Sequence, residues 1–383
     1  MQKKLIALAI AGLMSAPAFA QSNVTLYGTV DFGFVSMGGA DGTYVDPDGH
    51  TRRYSTRNSF DSGVSKNNRI GFRGTEDLGN GLKAVFVLET GLNGDSGSMF
   101  RDANARQTYA GLAGGFGTVA IGRQYTPQHV YTAAVDPFAK NGLGNTGNVQ
   151  FQDRRLNNLL AYISPDFGGF KFITGYSWAG IGEEALQNDD DLRVWAFAPS
   201  FTWNNLFVAA NYHNVRFNRN KVTGDKSTSL VHAYDLFASY DFGFVKLGST
   251  LGRRVTKKNV LWAGDNNSRI TQFMFGATFK ITPNDAIQTS YSRASENRVW
   301  DGQDGKPRID QWAIGYSHNL SKRTALYGQF AIIGRNSWYK DGNGFHTAGD
   351  IGPVGNVNAG YLPDIANTAQ YRRGFTIGFR HDF

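Results

Sequence analysis

The chain has 383 residues, with 47 Gly, 10 Pro, no Cys, 14% aromatic and 18% charged side chains, and a formal charge of +8. Low charge with many aromatics excludes a disordered chain, glycine without a three-residue period excludes collagen, and its abundance argues against helical bundles. The lack of cysteine excludes disulfide scaffolds, thiolate zinc sites and cysteine nucleophiles.

In chain order, Lys3 and Lys4 precede an apolar stretch from Leu5 to Met14, and Ala18-Phe19-Ala20 forms a small-residue cleavage site before Gln21. This pattern reads as an export signal over residues 1–20, leaving 21–383 as a single domain. Taking the signal's two lysines from 39 leaves 37 basic against 31 acidic side chains, a formal +6. Beyond residue 20 no apolar run approaches the roughly twenty residues that a spanning helix needs.

Alternation dominates the remainder. Leu26, Gly28, Val30, Phe32 and Phe34 fall on one face of a strand, with Thr25, Tyr27, Thr29 and Asp31 on the other; Ile70 and Phe72 oppose Arg69 and Arg73 in the same way. The strands read longer than the five or six residues usual in a soluble sandwich, which favours a membrane barrel with its apolar face on lipid and its polar face on the lumen. Short turns are expected at 77–81, 113–117, 164–169, 199–205, 241–243, 282–285 and 319–323. Longer polar loops are expected near 37–66, 92–102, 124–154, 179–192, 215–230, 253–269, 294–308 and 335–370. These connections predict an all-β fold, a sixteen-stranded antiparallel transmembrane β-barrel that closes because backbone groups in lipid must pair within the sheet.

Several motifs add to the pattern: Val24-Thr25-Leu26-Tyr27-Gly28, the run 68–79 from Asn68-Arg69-Ile70-Gly71-Phe72-Arg73 to Asp77-Leu78-Gly79, Gly122-Arg123, the run 164–170, the run 319–328 and the terminal Gly378-Phe379-Arg380-His381-Asp382-Phe383. In this order they resemble the sixteen-stranded general porins of Gram-negative outer membranes, in the branch typical of beta-proteobacteria, over the whole mature length. The resemblance implies an outer-membrane homotrimer of water-filled diffusion pores, an inward-folded third loop, contact with outer-membrane lipid and lipopolysaccharide, and passage of small hydrophilic solutes and anions. It also implies that the terminal strand ending at Phe383 is read by the barrel-assembly machinery; Phe383 suits a lipid-interface aromatic as well.

Other fragments are weaker. Gly94-Asp95-Ser96-Gly97-Ser98 resembles the stretch around a trypsin-like nucleophile, but Gly, Asp and Ser are also loop residues. Gly111, Gly114, Gly115 and Gly117 precede a strand rather than the helix that a phosphate-cradling loop requires. The seven histidines include no pair at metal-ligand spacing, and Glu183, Glu184 and Asp189 to Asp191 read as a solvated loop more readily than as a divalent-cation site. Dispersed Lys and Arg give no nucleic-acid footprint. No enzyme, cofactor or metal is expected. A sugar-selective channel would need an aromatic run along the lumen; a barrel hydrolase would need a His, Ser and carboxylate set.

For a passive pore, the expected functional residues are those at the constriction. Parity places Arg69, Arg73 and Arg106 on the lumen side and Arg155 at the mouth of its strand. By resemblance, Arg69 and Arg155 match positions in a basic wall cluster, Ala105 departs from a position held by Arg in some family members, and Glu89 and Asp136 form the acidic side. The four arginines outweigh the two carboxylates, which predicts a weak anion preference that strengthens as acid neutralises the carboxylates.

Overall fold

The computed structural model describes residues 23–38, 43–45, 51–53, 56–96, 99–139, 141–150, 155–180, 193–218, 228–257, 268–300, 303–305, 308–335, 337–341, 344–347 and 372–383. Residues 1–20, including the expected cleavage site, lie outside them, as do Glu183, Glu184 and Asp189 to Asp191. The full strands are β1 (Asn23–Gly38), β2 (Arg57–Ser62, resumed as Arg69–Gly79), β3 (Leu82–Leu92), β4 (Phe100–Gly114), β5 (Gly117–Tyr125), β6 (Arg155–Ile163), β7 (Phe170–Ser177) and β8 (Arg193–Trp203), followed by β9 (Leu206–Asn218), β10 (Thr228–Asp241), β11 (Val245–Lys257), β12 (Ser268–Lys280), β13 (Asp285–Trp300), β14 (Arg308–Asn319), β15 (Thr324–Arg335) and β16 (Arg373–Asp382). One sheet joins eighteen segments; two of these are the upper part of β2 and a short extension of β13 at Gln303–Gly305, so sixteen strands form the wall.

Each strand pairs antiparallel with its neighbours, and β1 closes the circle by pairing with both β2 and β16, from Thr29↔Asp382 to Gly38↔Arg373. The last rung belongs to the chain end: the Gly28 amide donates to the Phe383 carbonyl at 3.0 Å and the Phe383 amide donates back to Gly28 at 3.2 Å. A closed ladder leaves no edge for lipid to meet.

Alternation sorts the faces as expected. Leu26, Phe72, Ile121, Leu236, Phe275 and Phe379 are exposed outward, while Thr29, Asp31, Asn211, Asp235, Gln272, Gln311 and Thr376 are buried on the opposite parity. Short turns follow from backbone chemistry. Asn80 (φ 50°) and Gly81 (φ 77°) bend between β2 and β3, the left-handed conformation that Asn-Gly tolerates in a two-residue hairpin. In the 164–169 turn the Gly169 amide donates to Asp166 at 2.6 Å and, with Lys171 beside it, holds that carboxyl below the usual range.

Several boundaries differ from the sequence reading, and three of them have a plain physical reason. The turn expected from Pro199 begins only at Asn204, because β8 continues through the proline. Pro199 pairs with Phe172 on one side, whereas the ladder to β9 resumes at Ser200↔Ala209, where an amide proton is again present. The expected first loop, 37–66, contains the strand segment Arg57–Ser62, paired with β1. Residues 63–68 then fold over buried Asp31, whose carboxylate accepts from the amides of Val64 (3.1 Å), Ser65 (3.2 Å) and Lys66 (2.8 Å) and from the Tyr327 hydroxyl (2.6 Å).

The third difference is a helix, α1 (Pro127–Val135), inside the loop after β5. Thr126 caps it by accepting the His129 amide at 3.1 Å, and Pro127 occupies the first turn, where no amide is needed. Contacts of the loop run to inward side chains of the far wall: Leu143 N to Gln329 Oε1 at 2.9 Å, Asn148 Nδ2 to Gln311 Oε1 at 3.0 Å, and Thr250 Oγ1 to Gln150 Oε1 at 3.1 Å. The loop therefore lies within the barrel. Two inward glycines permit the approach, since a Cβ on Gly248 would sit 1.9 Å from the Val135 carbonyl and one on Gly276 would sit 2.5 Å from the Pro137 ring. The lumen is accordingly not polar throughout: Phe138, Leu143 and Val149 of the loop pack with inward Val35, Met37, Ala331 and Ile333.

We expect Asp31→Ala to strand three amides and a phenol without an acceptor and to cost about 3 kcal/mol. The check is the temperature at which the folded, fast-migrating gel band converts to the unfolded one; it should fall well below that of the parent chain.

Candidate functional site

Strands β1 to β6 bring one polar cluster to the inner wall, facing the strands against which the third loop packs. Its centre is Glu89 on β3, 5% exposed. Antiparallel pairing places Gly71 opposite Glu89, so the next inward residues on β2, Arg69 and Arg73, lie on either side of that rung, while Gln107 opposes Glu89 on β4. Arg106 Nε donates to Glu89 Oε1 at 2.8 Å, the Tyr27 hydroxyl donates to Oε2 at 3.2 Å, and Arg69 Nε stands 3.6 Å from Oε2. Tyr125, the last residue of β5, extends the network by accepting from Arg106 Nη2 at 2.9 Å and from Arg155 Nη2 at 3.0 Å. The Arg155 guanidinium lies 4.6 Å from the Tyr125 ring centroid, and that ring also stacks with His129 of α1 at 4.2 Å.

The structure thus brings together Arg69, Arg106, Arg155 and Glu89. Arg73, two inward positions beyond Arg69 on β2, sits 5.4 Å over the Tyr27 ring. Accessibility divides the four arginines. Arg106 and Arg155 are 3% and 0% exposed, whereas the Arg69 side chain retains 21% and Arg73 is exposed. The buried pair acts by packing and by field, and the accessible pair is what a solute meets. Around this cluster one carboxylate faces three guanidiniums, so the balance is positive even before Arg73 is counted.

Asp136 is placed differently. It ends α1, and its carboxylate accepts from the Phe138 amide at 2.9 Å and the Thr146 amide at 3.2 Å. Both bonds lie within the third loop and shape its turn.

Residues that parity alone did not mark complete the cluster. Tyr27 was legible as inward but not as a ligand of Glu89. Tyr125 lies at a strand end, where alternation loses its meaning. Arg123 donates to the Ala105 carbonyl at 2.7 Å and also bonds Asn157, bridging β4 and β6 at a point where the ladder between β5 and β6 shifts register. On the far wall, Gln128 of α1 donates to Asp235 at 2.9 Å, and Asn211 donates to the same oxygen at 3.0 Å. These bonds tie the helix to β9 and β10.

The alternative motifs take structural places. Asp95 accepts from Ser62, and Ser62 accepts the Gly94 amide at 3.0 Å, which ties the loop after β3 to the upper segment of β2. Among the described residues no cluster of three metal-ligating side chains occurs. Trp195, Trp203 and Trp312 lie outward, so they do not form an aromatic track in the lumen.

Comparison with known proteins agrees with this architecture. A family model described as Gram-negative porin matches residues 7–336. The outer membrane porin protein 32 of Delftia acidovorans is 30% identical, with all of both chains covered. The structure of an anion-selective porin from Comamonas acidovorans superposes with a TM-score of 0.69 at 28% identity, over 95% of this chain and all of that one. The trimer form of OmpT from Vibrio cholerae shares the fold at 14% identity, with a TM-score of 0.65 over 94% of this chain and 99% of that one. The family model covers most of the chain, and this chain belongs to the Gram-negative porin family: an outer-membrane channel protein, not an enzyme.

Proposed function

We propose that the barrel is a passive diffusion pore for small hydrophilic solutes and ions, with a weak preference for anions. The observation that carries the reading is the imbalance on the β1 to β6 wall, where Arg69 and Arg73 are accessible, Arg106 and Arg155 stand behind them, and Glu89 is the carboxylate they share. Fixed guanidiniums in a narrow aqueous passage with low-dielectric walls raise the local anion concentration. Asp136 bears the opposing sign within the third loop, where its oxygens accept loop amides, so the four arginines face two carboxylates. The similarity to a porin described as anion-selective supports the same sign. The outward tryptophans speak against a sugar-selective track.

The same reading includes export by residues 1–20, recognition of the Phe383 end by the barrel-assembly machinery, and assembly as a homotrimer. The trimeric relative supports that last step, as does the run of large apolar residues on the outer face of β1 to β3, where Phe60 is 79% exposed. Native mass spectrometry in detergent should give three chains; a strictly monomeric species would count against it.

Reversal potentials in a potassium chloride gradient test the ion preference. The Arg69→Ala, Arg73→Ala double variant should roughly halve the chloride-to-potassium permeability ratio. Glu89→Gln, which keeps the shape and removes the charge, should raise it. Arg106→Ala should act chiefly on folding, costing about 3–5 kcal/mol because it leaves Glu89 buried without its closest cation. A cation-preferring parent, or a double variant with unchanged preference, overturns the assignment.

A further inference from the structure

Helix α1 offers the passage a face without charge. Its buried side packs on β8 to β11: Gln128 donates to Asp235, the Tyr131 hydroxyl donates to the Ala198 carbonyl at 3.0 Å, the Tyr131 ring meets Phe207 and Phe237 edge-on, and Val135 lies against Gly248. What the helix leaves open is Val130 and Ala134, both exposed, with Ala133 half-buried beside them. Four residues apart, Val130 and Ala134 share one side of the helix and stand about 6 Å from each other along its axis. Because the opposite side is held by the wall, this side looks into the lumen. Val130 is 42% exposed, a branched apolar side chain presented to the passage.

Across the lumen stands the basic wall, and it too mixes charge with apolar surface. One inward rung below Glu89, Arg73, Val87 and Tyr109 pair in a row across β2, β3 and β4, so the guanidinium has a valine and a tyrosine as inward neighbours. The next inward rung is Thr75, Val85 and Gly111, which carries no charge. Arg69 and Arg73 are the accessible cations of this wall. Among the described residues of the third loop the one carboxylate is Asp136, which is 5% exposed and bonded to loop amides. At the C-terminal end of α1, Lys246 Nζ donates to the Ala134 carbonyl at 2.9 Å, which satisfies one of the last helix carbonyls and brings a further cation beside the apolar face. The passage is therefore bounded by guanidiniums on one side and by aliphatic carbon on the other.

We propose that this arrangement makes the constriction selective among anions: it favours monovalent carboxylates with an apolar body over hydroxylated carboxylates of equal charge and similar size, and Val130 is the residue that sets the preference. The carboxylate passes along Arg69 and Arg73 while the hydrocarbon slides over Val130 and Ala134. A passage with carboxylates opposite its arginines would carry a field from side to side and would reward hydrated, polar solutes on both sides. Here a solute hydroxyl turned toward α1 gives up water and finds no polar side chain on Val130 or Ala134, whereas a methyl group gains by leaving water. Guanidinium suits the other edge, since it takes a carboxylate in a two-pronged fork and is itself weakly hydrated. The inference rests on the anion preference proposed above and adds which anions are preferred.

The test uses the purified full chain in planar bilayers, with reversal potentials measured under gradients of potassium chloride, potassium propionate and potassium glycerate. Propionate and glycerate share a carbon skeleton and a charge and differ only in hydroxyls. Relative to potassium, the parent should pass propionate about threefold more readily than glycerate, as sheltering part of a methylene from water implies. Val130→Thr, which exchanges a methyl for a hydroxyl, should bring that ratio close to one. Val130→Ile keeps the face apolar and should hold the ratio at or above the parent value, which a mere disturbance of the helix would not do. Val130→Asp sets a carboxylate opposite Arg69 and Arg73 and should roughly halve the chloride-to-potassium ratio. Val208→Thr makes the same exchange on the lipid side and should match the parent, and the heat-dependent gel shift verifies folding throughout. Equal passage of propionate and glycerate by an anion-preferring parent, an unchanged ratio in Val130→Thr, a lost one in Val130→Ile, or an unchanged chloride preference in Val130→Asp would overturn the proposal. A cation-preferring parent would instead overturn the reading of the basic wall, and this inference with it.

Discussion

A lipid bilayer offers no partner for a backbone N–H or C=O, and every other feature of this molecule follows from that constraint. A sheet satisfies it only by closing, and closure here depends on the two chain ends meeting, with Gly28 and Phe383 exchanging amide bonds at the final rung. Once closed, each strand has one face on lipid and one on the lumen. A period of two then assigns every side chain to one solvent or the other. The same alternation that puts Ile70 and Phe72 into lipid delivers Arg69 and Arg73 to the passage.

Closure also creates the problem that the third loop answers. A wall of sixteen strands encloses more space than its own side chains fill. Helix α1 and the turns after it occupy part of that space, held by inward glutamines and serines and by an apolar patch that the wall supplies on its nominally polar parity. Strand glycines such as Gly248 lose packing and stability where they stand, yet they let the loop backbone approach. The loop also reaches back to the basic wall through the ring of His129 stacked on Tyr125. The helix thereby braces the residue that orients Arg106 and Arg155.

The basic wall is a graded arrangement more than a row of equal charges. Glu89 is shared by a close arginine and a more distant one, with a tyrosine hydroxyl on its second oxygen. Burial makes Arg106 and Arg155 rigid contributors to the field, while Arg69 and Arg73 stay within reach of solvent. Preorganising charge in this way costs no rearrangement when an ion passes.

Taken alone, the sequence determined the fold class, the strand number, seven of the short connections to within a few residues and the facing of Arg69, Arg73 and Arg106, because these depend on a period-two pattern and on local turn chemistry. The tertiary structure decided what depends on pairs remote in the chain. Asp31 meeting Tyr327 and the reach of Tyr125 to Arg106 and Arg155 arise from strand register and barrel closure. Register is set cooperatively around the whole ring, by the fit of every strand to both of its neighbours. No window of sequence contains that information, since alternation reports which face a side chain takes and is silent on the height at which it stands.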